Sequence, residues 1–334
     1  TNVTSLYPRG MVFTLAPSSE NGEIQDVILF LRYPHDSGTR VVAEWDPESE
    51  VYIAHPWPTG DGQPAWTHFD FYWRVRDAND NSVESDPIPL DYWDPTRVWH
   101  RLENDHYILY WYGLVDDNPD VFARVAAEAI DATHERRLAG FGEDIQYKPI
   151  GVIYASRDEM GEMYGTGVTN PTAGGFTSNA LGMSLQFLAT GLDVDQNIAW
   201  LAHVVNHELT HMWQYSVVGA TTGPNWWTEG QAEWFGYTPG TYDIRLKNLA
   251  TLQDLPTLSR EVPRNTVQAD GIMFLVYDVG PSFINWLNIY YGGMETHRAV
   301  VESMQTGIGL YDSLEAATGK TFFELENEWR VYIG

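Results

Sequence analysis

Apolar and polar residues alternate strictly in "HFDFYWRVRD" (68–77): Phe69, Phe71, Trp73 and Val75 share one face, Asp70, Tyr72, Arg74 and Arg76 the other. A period of two is that of a half-buried strand. "GMVFTL", "DVILFLRY", "RVVAEW" and "VYIAH" are further short β-rich runs, separated by clusters of Pro, Gly, Asp and Ser. Regular short strands with such punctuation predict an antiparallel β-sandwich, of the immunoglobulin or fibronectin III kind, over residues 1–94. "DPIPLDYWDPTR" (86–97), rich in proline, reads as a connection to a second domain over residues 95–334.

In that second domain "HYILYWYG" and "KPIGVIYAS" still read as strands, but the period then changes. In "DNPDVFARVAAEAIDATHERRLAGFG" Val121, Phe122, Val125, Ala129 and Ile130 fall on one helical face, and from residue 193 onward nearly every segment has helical period. The chain therefore reads as a multidomain α+β protein, a sandwich followed by a mixed sheet and then C-terminal helices.

"DVDQNIAWLAHVVNHELTHMWQYSVVG" predicts one long helix, starting at Asp193 or Asp195 and stopping at Gly219. At roughly 100° per residue, with His207 at zero, Ile198, Leu201, Val205, Leu209 and Met212 fall between about 120° and 200°. His203, His207 and His211 fall within about 40° of zero, on the opposite face, with Glu208 about 100° away. Two imidazoles one turn apart can bind one ion, while Glu208 can reach a water at that ion without competing as a ligand. The plain alternative is a helix with solvated or core-satisfied histidines.

The next acids decide between them. A catalytic zinc site needs a third protein ligand, and between His211 and Asp243 the acids are Glu229 and Glu233, one turn apart in "WWTEGQAEWF". If this segment is a second, antiparallel helix, Glu229 returns to the metal and Glu233 can accept the N–H of a ligating histidine and fix its tautomer.

Composition narrows the chemistry further. The chain has no cysteine, so any metal must be held by histidine and carboxylate. A net charge of −27 repels nucleic acid and anionic lipid, which excludes both as expected partners, and no apolar run is long enough to span a bilayer. The acidic surface and the start at Thr1 suggest a secreted or cell-surface protein, bacterial in source. Calcium finds no support: the acids of "RDANDNSVESD" lack the ligand order of a calcium loop and read as turn chemistry.

"HELTH" (207–211) followed by "WWTEGQAEWF" (226–235) resembles the glutamate-ligand zincins: thermolysin, the aminopeptidase N relatives and, most closely, the peptidase MA-like family. "VYDVGPSFINWLNIYYGG" and "LYDSLEAATGKTFFELENEWRVYIG" are similar to that family's C-terminal helices, so the resemblance covers roughly residues 100–334. It implies a thermolysin-like catalytic domain with one catalytic Zn²⁺ held by His207, His211 and Glu229. Glu208 would be the general base, Glu233 the partner of a ligand, and Tyr277 a donor to the oxyanion. It also implies that "GMSLQF", through Gly182, Met183, Ser184 and Leu185, is an edge strand that pairs with an extended peptide or protein substrate.

The chain departs from its relatives in two ways. The gap of seventeen residues between His211 and Glu229 is short, and the Gly-x-Met-Glu-Asn element of aminopeptidases is replaced by "AGGFTSNALGMSLQF", which contains no acid. The second difference points to an endopeptidase. Two rivals stand beside it: a non-catalytic adhesion protein with a vestigial zincin domain, and a zinc hydrolase of another amide or ester.

Overall fold

The computed structural model describes residues 1–334 apart from 21, 36–37, 58–62, 114–118, 163–174, 189–190, 220–222, 237–242, 244–245, 247–254, 263–265, 269–270 and 274. Contacts divide the chain into two compact units, 1–119 with 148–197, and 120–147 with 198–334.

The first unit opens with two antiparallel sheets. One has the order β1 (Asn2–Ser5), β2 (Met11–Leu15), β6 (Val51–Ala54), β5 (Glu44–Asp46). The other has the order β4 (Thr39–Val42), β3 (Ile24–Arg32), β7 (His68–Asp77), β8 (Ser82–Glu84), with β9 (Ile88–Asp91) also on β7. The alternation predicted for 68–77 is realised: Phe69, Phe71 and Trp73 are buried and join Met11, Phe13, Val27, Leu29 and Leu31 in a cluster supplied by both sheets. At the tip of the β7–β8 hairpin the Asp77 carboxylate accepts the backbone N–H groups of Asn79 and Asn81, the turn chemistry that its composition predicts.

Part of the expected connection is itself a strand. Ile88–Asp91 pairs with His68–Phe71, and its Pro89 is tolerated because β9 lies on the outside of the ladder. The chain then turns around Asp94, whose buried carboxylate accepts from Thr96, Arg97 and the Trp99 indole.

The same unit holds a mixed sheet in the order β10 (His100–Glu103), β11 (Ile108–Trp111), β12 (Ile150–Tyr154), β14 (Met183–Phe187), β13 (Gly175–Ser178). β11, β12 and β14 run parallel, with β10 and β13 antiparallel at the two edges. Its core of Tyr110, Val152, Tyr154, Met183 and Leu185 is separate from that of the N-terminal sheets, although Trp66, Trp99 and Leu181 pack on both. The short α2 (Arg157–Glu162) follows β12.

The second unit is mainly helical: most of α1 (Pro119–Phe141) and α3 (Val194–Trp213), then α4 (Asn225–Gly236), α5 (Leu275–Tyr290), α6 (Met294–Gln305), α7 (Leu310–Thr318) and α8 (Phe322–Ile333). A two-stranded ribbon, β15 (Thr266–Gln268) and β16 (Gly271–Met273), precedes α5. The core is aromatic, with Trp213, Trp226, Trp227, Trp234 and Trp329 all fully enclosed. Each such side chain contributes on the order of 2–3 kcal/mol by burial. α8 begins with a capping box between Thr321 and Glu324, which satisfies two N-terminal donors at once.

Candidate metal centre

α3 is amphipathic as the wheel predicts: Leu201, Val205, Leu209 and Met212 are buried in the core. After Trp213 the helix widens into a π-helical turn, Gln214–Val218, before Gly219 ends it at a positive φ of 78°. The single continuous α-helix expected to residue 219 is thus corrected. π turns insert one residue into the helical ladder and re-aim side chains, and here the turn opens with Gln214 beside His211.

α4 is held against α3 and α5 by glycine. A Cβ on Gly236 would lie 3.2 Å from the backbone nitrogen of His207, so the C-terminal turn of α4 rests directly on the His207 backbone. A Cβ on Gly280 would lie 1.9 Å from the Trp226 carbonyl, and one on Gly230 would lie 2.6 Å from the backbone of Gly280. The α4–α5 crossing is therefore a backbone-on-backbone contact that only glycine permits.

These approaches bring His207, His211 and Glu229 together. His207 Nε2 lies 3.1 Å from His211 Nε2 and 3.2 Å from Glu229 Oε2, and His211 Nε2 lies 3.5 Å from the same oxygen. Glu233 Oε1 sits 2.9 Å from His207 Nδ1 and 3.5 Å from His203 Nε2. On the other imidazole, His211 Nδ1 lies 2.8 Å from Gln214 Oε1. An oxygen thus lies close to the outward nitrogen of each ring, hydrogen-bonded in the case of His211 and at ion-pair distance in that of His207, and both Nε2 atoms face Glu229.

Burial opposes protonation of His207, yet its hydrogen bonds to Glu229 and Glu233 and their negative charge hold its pKa well above the usual imidazole value. Burial would raise Glu229, but contacts to His207 and His211 bring it far below the usual carboxylate range. Against the same burial penalty, His203 and His207 bring Glu233 down to about 2. Two largely enclosed carboxylates facing imidazole nitrogens require a cation among them, either a proton or a metal ion. The groups His207–His211–Glu229 and His203–His207–Glu233 could each hold a metal ion. The spacing of the first suits zinc, because ligands about 2.0–2.1 Å from a tetrahedral ion lie about 3.3–3.4 Å from one another.

Glu208 is buried beside His207 on α3 and is not among the three converging donors. Tyr277 lies in the first turn of α5 with its ring 6.0 Å from that of His207. Gly182, Met183, Ser184 and Leu185 are placed differently from expectation. β14 is an interior strand whose backbone pairs with β12 on one side and β13 on the other, so it cannot add a peptide strand. The edge position belongs to β13, one strand earlier in the chain. The sequence reading also missed Gln214. It falls about 20° from His207 on the helical wheel, within the row of imidazoles, and that position was the available signal.

No protein-family model matches the chain. Among solved structures it is similar to native yeast LTA4 hydrolase, at 13% identity over 97% of this chain and 63% of that one, with a TM-score of 0.35. It is also similar to a functionally unknown conserved protein from Bacillus anthracis, at 7% identity over 96% of this chain and 69% of that one, with a TM-score of 0.41. The chain thus spans less than two thirds of the length of the yeast hydrolase. Likenesses this distant carry no argument about function, which rests on the site itself.

Proposed function

We propose that this chain is a zinc metallopeptidase that cleaves peptide bonds internally, with His207, His211 and Glu229 as the metal ligands. The observation that carries the reading is the convergence of two imidazole Nε2 atoms and one carboxylate oxygen, 3.1–3.5 Å apart, with an oxygen 2.8–2.9 Å from each imidazole's other nitrogen. When bound there, zinc supplies Lewis acidity towards a substrate carbonyl and lowers the pKa of a water to about 7.

The rest is the work of the chain's own residues. Glu208, adjacent to a ligand but outside the donor set, takes the proton of the attacking water and delivers it to the leaving amine. The Tyr277 hydroxyl, on a ring beside His207, donates to the oxygen that gains charge. The Glu233 carboxylate, 2.9 Å from His207 Nδ1, favours a hydrogen on that nitrogen, which keeps the ring's Nε2 free to ligate.

Internal cleavage is favoured by what the carboxylates near the sheet are doing. An aminopeptidase needs an acid to anchor the substrate's α-amine, and "AGGFTSNALGMSLQF" contains none. Glu159 could have replaced it, but its carboxylate pairs with Arg97 at 3.1 Å and accepts the Tyr112 hydroxyl at 2.5 Å. The side chain of Glu162 lies outside the described residues. β13 stands last in the order of its sheet among the described residues, the position at which an extended backbone is recognised by strand addition. With this reading go a thermolysin-like catalytic domain after residue 94, an immunoglobulin-like or fibronectin III-like sandwich before it, and a secreted or cell-surface setting.

The test is metal analysis together with digestion of a mixed peptide library, with and without a chelator. One zinc per chain and chelator-sensitive cuts at internal bonds are expected. Full activity after removal of all metal would sink the proposal.

A further inference from the structure

Behind His211 a line of buried polar side chains crosses a core otherwise made of tryptophan and phenylalanine. Gln214, Gln231 and His297 are each about 1% exposed. His297, on α6, stacks on Trp227 and is flanked by Phe141, Trp234 and Phe235. Hydrocarbon side chains would fill such a place with no polar group to satisfy. The polar residues present form one continuous chain of hydrogen bonds.

The direction of every bond in that chain is fixed from its ends. The Gly140 carbonyl, at the end of α1, can only accept, so His297 Nδ1, 2.9 Å away, carries the hydrogen. Burial among aromatic rings lowers the pKa of His297 to about 4, so at neutral pH its Nε2 has no hydrogen and must accept. The group 2.9 Å from that nitrogen is therefore the NH₂ of Gln231. The Gln231 carbonyl oxygen then faces Gln214 Nε2 at 2.9 Å and accepts from it. A second, independent end confirms the orientation of Gln214: the same Nε2 donates to the Thr228 carbonyl at 2.7 Å, and a carbonyl cannot donate. The Gln214 oxygen is left to accept from His211 Nδ1 at 2.8 Å. His211 thus carries a hydrogen on Nδ1, which leaves Nε2, turned toward His207 and Glu229, as the nitrogen a metal ion can take.

We propose that Gln214, Gln231 and His297 are positioning residues, a relay anchored on the Gly140 and Thr228 carbonyls that locks His211 in the tautomer and orientation a metal ligand requires. The role in metal binding rests on the reading of the cluster as a zinc centre, whereas the tautomer does not. A reversed Gln214 would present N–H groups to His211 Nδ1 and drive its hydrogen onto Nε2, where it would block the metal; a correctly turned Gln231 adds a second acceptor against that reversal. Partners of this kind, one bond removed from a ligand, set its basicity and aim. Here the effect reaches across three side chains and three helices.

The experiment has two arms. In the first, ring ¹⁵N shifts of His211 are read in metal-free wild-type protein at pH 8, assigned by their loss in His211→Gln. A hydrogen on Nδ1 is expected, and an Nδ1 without one overturns the proposal with no need of a variant. In the second, Gln231→Met keeps the volume but removes both links of the amide. The expected result is a mixture of His211 tautomers and a loss of zinc affinity of about 10–100-fold in competition with a chromophoric chelator. A Gln231→Met protein with the wild-type tautomer and affinity within about threefold of wild type also overturns it. A wild-type protein with the expected tautomer that takes up no zinc supports the relay and refutes the zinc reading instead.

Discussion

At the residue scale, the roles proposed for Glu208 and Glu229 separate chemistry from binding. Glu208 lies beside His207, a proposed ligand, without joining the donor set, so Glu208→Gln should retain zinc and fold while turnover falls by at least about 10²–10⁴-fold. Metal analysis and a peptide assay on one preparation check both halves. Glu229→Gln removes a converging oxygen and should weaken zinc by more than Glu233→Gln, for which about 10–100-fold is expected. Chelator titration of the two variants gives the order. His297 bears on acid stability. Its pKa is about 4 when folded, lowered by burial, against about 6.5 in the unfolded chain. Between those values the unfolded state binds more protons, so stability present above pH 6.5 is lost as the pH falls toward 4, by up to about 3 kcal/mol. Thermal unfolding of metal-free protein should show that slope, and His297→Phe should flatten it. These residues were unequally legible. His207, His211, Glu229 and Glu233 could be read because ligand-type side chains recur one turn apart on successive helices. Gln231 and His297 carry no such mark, since their role comes from a meeting of helices far apart in the chain.

At the element scale, the spacing of α4 from α5 is set by Gly230 and Gly280. A single methyl at Gly280 would meet the Trp226 carbonyl at 1.9 Å, a contact that requires backbone movement. Gly280→Ala should therefore destabilise by more than the roughly 1–3 kcal/mol typical of overpacking. It should also weaken zinc binding, because the helix displaced is the one that carries Glu229. Calorimetry with chelator competition would show the two losses together, and a stable variant with weakened metal binding would contradict the coupling. Periodicity identified these helices because each buries one continuous face. It did not show the π turn after Trp213, since a one-residue insertion leaves the apolar pattern almost unchanged. It also assigned Ile88–Asp91 to a connection, because proline lowers strand propensity even where an outer strand can accept it.

At the scale of the whole molecule, strand order was the least legible feature. Whether "GMSLQF" is interior or edge depends on what pairs with its second side, and its own residues do not encode that partner. The structure gives that side to β13. The functional expectation that follows concerns chain ends. Peptides with free and acetylated N-termini should be cut at the same internal bonds with rates within about threefold, because Glu159 is already committed to Arg97 and Tyr112. Product mapping by mass would refute this if only first residues were released and acetylation stopped cleavage. The hydrogen bond from His297 to Gly140 joins residues 157 positions apart, and this separation has a consequence for how the protein matures. Closing so long a loop is slow and comes late in folding. A nascent chain that has emerged only through α4 already displays all three donors but lacks His297, the member of the relay that ties Gln231 to Gly140. Zinc capture should then follow completion of the fold rather than seed it. In refolding by dilution, metal uptake would rise with the tryptophan signal of the finished core and not ahead of it, so a loaded metal centre would report a completed chain.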